Sequence, residues 1–198
     1  MTPIEPRLPA VRDAVIAHVK ATVESAADQV LVSLSQATPS DSSVGERELV
    51  VSCRVDLRRN MGNFRRTFAQ TLDEKFDQAL APRAQVRHTP AATNWQTLSL
   101  VDDSAMDERV VSDRIGQMIA HACESELREL ATYAGSLRAP GSADDDHDPL
   151  RAEILAAALY RAVESVSTEP ESRKLLSREF GKAMARSMPE CYIRSSKA

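Results

Sequence analysis

Arg54, Arg58, Arg59, Arg65 and Arg66 form the strongest local charge feature of the chain. A guanidinium presents a planar fork of donors that suits phosphate or carboxylate oxygens. At about 100° per residue of helix, Arg54, Arg58 and Arg65 fall within about 40° of one another, while Arg59 and Arg66 point elsewhere. The three are therefore the candidate anion-binding set, able in principle to hold a phosphate, an acidic peptide or a nucleic-acid backbone. The ordinary alternative is that their aliphatic stems cover the edge of the core and their heads pair with local carboxylates, which stabilises little. No aromatic platform interleaves with them and Trp95 is distant, so nucleic acid is not the expected partner.

The remaining chemistry-bearing residues are scattered. Asp144, Asp145, Asp146, His147 and Asp148 form an acidic run, but the alternating ligands, central Gly and distal Glu of a calcium loop do not follow. His121 and Cys123 stand two apart, which on a helix points them about 160° away from each other. His18 and His88 have no partner at ligand spacing. Arg54 to Arg58 also spells R-x-x-x-R, half of a cyclic-dinucleotide signature known from β-barrels. Its other half has only a truncated echo, Asp41 to Gly45, on the wrong side. There is no G-x-S-x-G, and the isolated glycines write neither a phosphate loop nor a dinucleotide fingerprint. No catalytic residue, metal or cofactor is expected.

Helices must position whatever site exists. Pro3, Pro6 and Pro9 suggest an extended start over residues 1–10, after which Val11, Val15, Val19, Val23, Val30 and Leu34 recur at helical spacing. Residues 36–45 read as a linker. Ser43 and Glu46 have capping-box spacing ahead of a long helix over roughly 45–80, with Val50, Leu57, Met61, Phe64, Phe68 and Leu72 on one face. Residues 82–97 read as a loop and Leu98 to Val101 as a short apolar segment. Met106, Val110, Met118, Ala122 and Leu130 then trace a helix towards Tyr133. Residues 135–148 read as a mobile acidic loop, and Asp148 with Pro149 as a helix start. Ile154, Leu155, Ala158, Leu159 and Ala162 mark the apolar side of that helix. Thr168 and Glu171 give a second capping box, followed by Leu175, Leu176, Phe180 and Met184 and a stop at Pro189.

Composition sets the class. Aromatics are only 4% of the 198 residues, so the core must rest on Leu, Val, Ala and Met, which favours helix packing over a sheet sandwich. The net charge of −4 argues against a surface that is basic throughout. Three cysteines, Cys53, Cys123 and Cys191, cannot all pair, and with no C-x-x-C they point to a reducing compartment. Residues 1–10 lack a basic-then-apolar leader and the apolar run Ile154 to Tyr160 is too short to span a bilayer. The expected address is the cytoplasm, away from membranes.

Leu98 to Asp103 (L-S-L-V-D-D) resembles the "L-S-L-V-D-E" entry of a bacterial family of unknown function, domain of unknown function 1631. Asp148-Pro149-Leu150 looks like its "N-P-L-x-P" helix start, although Ala152 and Glu153 stand where the second proline belongs. Cys53-Arg54, the helix carrying Phe64 to Phe76, Leu175-Leu176, Phe180 and Tyr192 are similar to further segments, so the resemblance runs over residues 45–192. It implies an all-helical fold and no mechanism, in a short member or an N-terminal piece of a longer chain. The sequence thus predicts a single all-α domain over 1–198, a bundle of about five helices around one long helix, with no sheet. The expected function is a non-enzymatic interaction or regulatory module binding another protein. The alternative is anion or nucleic-acid binding through Arg54, Arg58 and Arg65.

Overall fold

The computed structural model describes residues 7–36, 44–80, 103–129 and 151–195. They form α1 (Arg7–Gln36), α2 (Val44–Leu80), α3 (Asp103–Ala122), α4 (Ala152–Glu164) and α5 (Pro170–Ser195). A short helical segment at 124–129 continues α3 past a turn at Cys123, and no strand occurs among the described residues. The fold is an all-α bundle. No helix among these residues is long and apolar enough to cross a membrane.

Each helix is specified by its buried face. On α2, Cys53, Leu57, Phe64, Phe68, Leu72 and Phe76 are fully buried, a spacing of four and seven residues that keeps one stripe inward. On α1, Val15, Val19, Val23, Val30 and Leu34 do the same. The shortest of the five, α4, is hidden on nearly every side. Leu155, Ala156, Ala158, Leu159, Tyr160, Ala162 and Val163 are all buried, so the expectation of a single apolar side was too narrow. Its alanines are packing residues, and their small side chains let α2 and α3 close on it from opposite flanks. α5 folds back beside α4 and lies against α1 and α3, with Phe180 stacked on Phe64 of α2 at 4.6 Å.

Polar ties fix the register. Asn60 Nδ2 on α2 donates to the Val166 carbonyl at 2.8 Å, holding the α4–α5 connection. Glu164 at the end of α4 accepts from Arg161 and from Arg173 of α5, and Arg161 also reaches Glu108 of α3. α1 runs against α2, with Lys20 on Asp73 at 2.9 Å and Arg65 on Glu24 at 3.8 Å.

Several boundaries differ from the sequence reading. Residues 7–10 are helical rather than extended, because a proline such as Pro9 is tolerated in a first turn whose N–H groups have no intrahelical partner. α4 begins at Ala152 with Arg151 as its N-cap, later than Asp148 and Pro149 implied. The cap of α5 falls on Glu169, whose carbonyl accepts the Arg173 N–H at 3.0 Å, with Pro170 as first helical residue. Ser167 Oγ, not Thr168, supplies a local hydroxyl contact there, accepting the Glu169 N–H at 3.3 Å. Pro189 does not end α5, which continues to Ser195. An interior proline costs about 3 kcal/mol, but Met184, Met188, Cys191 and Tyr192 are buried on either side of it and carry the helix through. On α3 the buried face is Ile115, Ile119 and Cys123, whereas Val110 is exposed and Met118 half-buried. Ser43, residues 37–43 of the linker, the 82–97 loop, Leu98 to Val101, and the acidic 135–148 segment with Asp148 and Pro149 lie outside the described residues.

Truncating Phe180 to Ala removes the ring stacked on Phe64 and should cost about 3–5 kcal/mol. Urea unfolding followed by circular dichroism should show a lower midpoint with an unchanged slope. Asn60→Ala leaves the Val166 carbonyl unpaired and should cost about 1–3 kcal/mol in the same assay.

Candidate functional site

The arginines of α2 lie on its outward flank. Arg54 is half-buried, Arg58, Arg59 and Arg66 are exposed, and Arg65 pairs weakly with Glu24 across 3.8 Å. Among the described residues neither Arg54 nor Arg58 has an ion-pair partner. Next to this flank is an apolar stripe. Val44, Val51 and Val55 are 71%, 47% and 53% exposed. They share an arc of about 40° opposite the buried face of the same helix. The three candidate arginines therefore share one side of α2.

A deeper feature lies where four helices meet. The end of α1, the start of α2, α3 and the first half of α5 enclose an open groove of about 800 Å³. Cys53 Sγ reaches the Ser172 carbonyl and Phe64 stacks on Phe180, so α2 advances in the same sense as α5, and Met118 of α3 approaches Gly181 of α5. The floor is apolar, built from Leu34, Leu49, Val50, Val111, Ile115 and Leu175, and Val110 stands 62% exposed at its lip. Ser177 of α5 also lines it, with a buried hydroxyl that has no hydrogen-bond partner among the described residues.

Charge collects at the rim. Lys174, Arg178 and Lys182 stand at i, i+4 and i+8 along α5, and Arg47 of α2 and Arg114 of α3 line the same groove. Glu46, Glu171 and Glu179 are the acidic members, so cations outnumber acids by five to three. Glu179 is the anchor of this set. It accepts from Lys182 at 2.9 Å, from Arg178 at 3.3 Å and from Ser33 Oγ of α1 at 3.3 Å. Burial alone would raise its pKa, but Lys182 and Arg178 outweigh that and hold the carboxyl below its ordinary value.

Other reactive groups are withdrawn from solvent or kept apart. Cys53, Cys123 and Cys191 are free thiols and buried. Burial, with Glu126 and Cys191 nearby, pushes Cys123 up to about 12, and burial also raises Cys53. His121 is exposed on α3 while Cys123 faces the core. Among the described residues no three His, Cys, Asp or Glu side chains gather closely enough to hold a metal ion. Sequence reasoning missed the groove because its residues come from four helices. One signal was legible: the i, i+4, i+8 spacing of Lys174, Arg178 and Lys182.

The comparison with known families fits this architecture. The profile described as "Protein of unknown function (DUF1631) N-terminal domain" matches residues 5–196. The chain belongs to this family. No curated protein and no solved structure matches it. In this DUF1631 N-terminal domain the segments quoted for the resemblance fall partly on structural positions: Cys53, Phe64, Phe68, Phe76, Phe180 and Tyr192 are all core residues.

Two outcomes test the electrostatics. Thiol titration with Ellman's reagent at pH 8 should find the native protein almost unreactive and all three cysteines reactive in denaturant, since only the thiolate attacks. Glu179, with its pKa lowered on folding, contributes stability that is complete above the ordinary carboxylate pKa and is lost as pH falls through its lower native value. The melting-temperature gap between wild type and Glu179→Gln should therefore be largest near neutrality and shrink at pH 3.

Proposed function

We propose that this domain is a non-enzymatic interaction or regulatory module that binds another protein, through the groove lined by the end of α1, the start of α2, α3 and the first half of α5. The observation that supports it is a solvent-open, apolar-floored trough of about 800 Å³ with Val110 protruding at its lip. Apolar surface left open beside a charged rim is the usual mark of a recognition site. The buried thiols and the separate settings of His18 and His121 are in keeping with a binding role. A cytoplasmic setting belongs to the same reading, since unpaired thiols suit a reducing compartment. The candidate set Arg54, Arg58 and Arg65 remains the basis of the competing reading, anion or nucleic-acid binding on the flank of α2.

Affinity capture of the tagged protein from its host, with and without nuclease, separates the two. The expected result is a stoichiometric, nuclease-resistant protein partner that is lost with Val110→Asp, a surface change that should leave the melting temperature within about 2–4 °C. A capture that vanishes with nuclease, or with Arg58→Ala/Arg65→Ala but not with Val110→Asp, would move function to the arginine flank. A capture with no partner would count against both.

A further inference from the structure

We propose that the first half of α2 is a self-association surface, on which a second copy of this chain packs antiparallel about a two-fold axis between Val51 and Val55. Val44, Glu48, Val51, Val55, Arg58 and Gly62 alternate in steps of four and three residues, the spacing of a coiled-coil seam. All six are exposed, and none of them lines the groove. They run down one line of the helix. Gly62 stands about five turns on from Val44 at the same azimuth, with Glu48 and Arg58 about 40° to either side of that line. Cys53, Leu57 and Phe64 already give α2 its inward face, so this second stripe is surplus to the core.

The order of side chains along the seam selects the partner. In an antiparallel pairing, setting Val51 of one copy against Val55 of the other fixes every remaining contact. Glu48 then falls opposite Arg58 of the second copy, and Val44 opposite its Gly62. Two-fold symmetry makes each of these contacts twice. Read backwards the seam is its own complement, which is what a second copy requires. A parallel pairing would set Glu48 on Glu48 and Arg58 on Arg58, and like charge excludes it. Within the domain neither Glu48 nor Arg58 has an ion-pair partner among the described residues, so both are free for this contact. Arg65 and Arg66 pass beyond the Val44 end of the other copy. Arg54 points about 80° off the seam and is half-buried on its own domain, away from its symmetric equivalent.

Gly62 supplies an independent sign. Inside a helix of 37 residues a glycine is less favourable than an alanine. Nothing described in the domain stands within 4 Å of where its Cβ would lie, so no neighbour in the fold calls for glycine there. Bare backbone at that point receives Val44 of the second copy and lets the two helices close. The contact runs from residue 44 to residue 62, roughly 28 Å of helix, with two valine layers at its centre. Such an area falls at the low end for specific association, so the dimer forms and dissociates readily, with a Kd of about 10–100 µM.

The test is sedimentation velocity on the purified chain over a series from about 2 to 500 µM, with melting temperature showing that each variant folds. The wild type should pass from monomer to dimer across the series, and Val51→Glu/Val55→Glu should stay monomeric throughout. Glu48→Arg alone and Arg58→Glu alone should each weaken the dimer at least about tenfold. An equimolar mixture of these two variants should dimerise again, because each then supplies the charge the other lacks. Mild oxidation of Val51→Cys mixed with Val55→Cys should join one variant to the other in preference to itself, the native thiols being buried. A wild type that is monomeric at every concentration would overturn the proposal. So would a dimer indifferent to the glutamates at 51 and 55, a charge mixture that fails to recover, or cysteines that join like to like. Val110→Asp should leave the dimer unchanged, and its loss there would place self-association in the groove instead.

Discussion

Helix α4 is short, apolar on nearly every side, and must be surrounded to be stable. With Leu155, Ala156, Leu159, Ala162 and Val163 all fully buried, it needs a neighbour on each flank, and α2 and α3 supply them. Each buried Leu or Val side chain stabilises by roughly 1.5–3 kcal/mol relative to exposure. Leaving any flank open would forfeit several of these contributions. Because α2 and α3 both pack on α4, its burial ties them into one bundle with α5 and α1.

The class of the fold was legible because its two longest helices carry clear periodic signals. Val15 to Leu34 on α1 and Leu57 to Phe76 on α2 advertise one buried stripe each, and burial follows the pattern closely. What could not be read was anything decided by a neighbour. Pro189 looks like a stop because the local cost is real, but the buried Met188, Cys191 and Tyr192 hold the helix from outside. Arg151 caps α4 although nothing in its side chain favours the role, and it makes no side-chain capping bond.

The reading of α3 shows how a partial signal conceals a site. Val110 and Met118 belong to a helical apolar pattern, and periodicity alone assigns such residues to the core. The structure gives the core to Ile115, Ile119 and Cys123 and turns Val110 and Met118 towards the groove. An apolar stripe wider than the core can use is a surface awaiting contact, but one sequence cannot tell the two portions of the stripe apart. The arginines of α2 present the reverse case: conspicuous in the sequence, Arg54, Arg58 and Arg65 lie outside the groove on the flank of that helix.

Gly181 carries a consequence for this geometry. A methyl group added there would meet the Cε of Met118 at 3.0 Å and Cγ1 of Ile115 at 3.6 Å. The seam between α3 and α5 is therefore drawn tight by the absence of a single carbon, at the point where Met118 also borders the trough. An alanine at 181 would press on the tip of the Met118 side chain, the most yielding group at this seam, so a methyl is absorbed there by a small swing of the methionine. The border of the groove at this point is therefore a soft one, set by how the Met118 chain lies over a bare stretch of backbone.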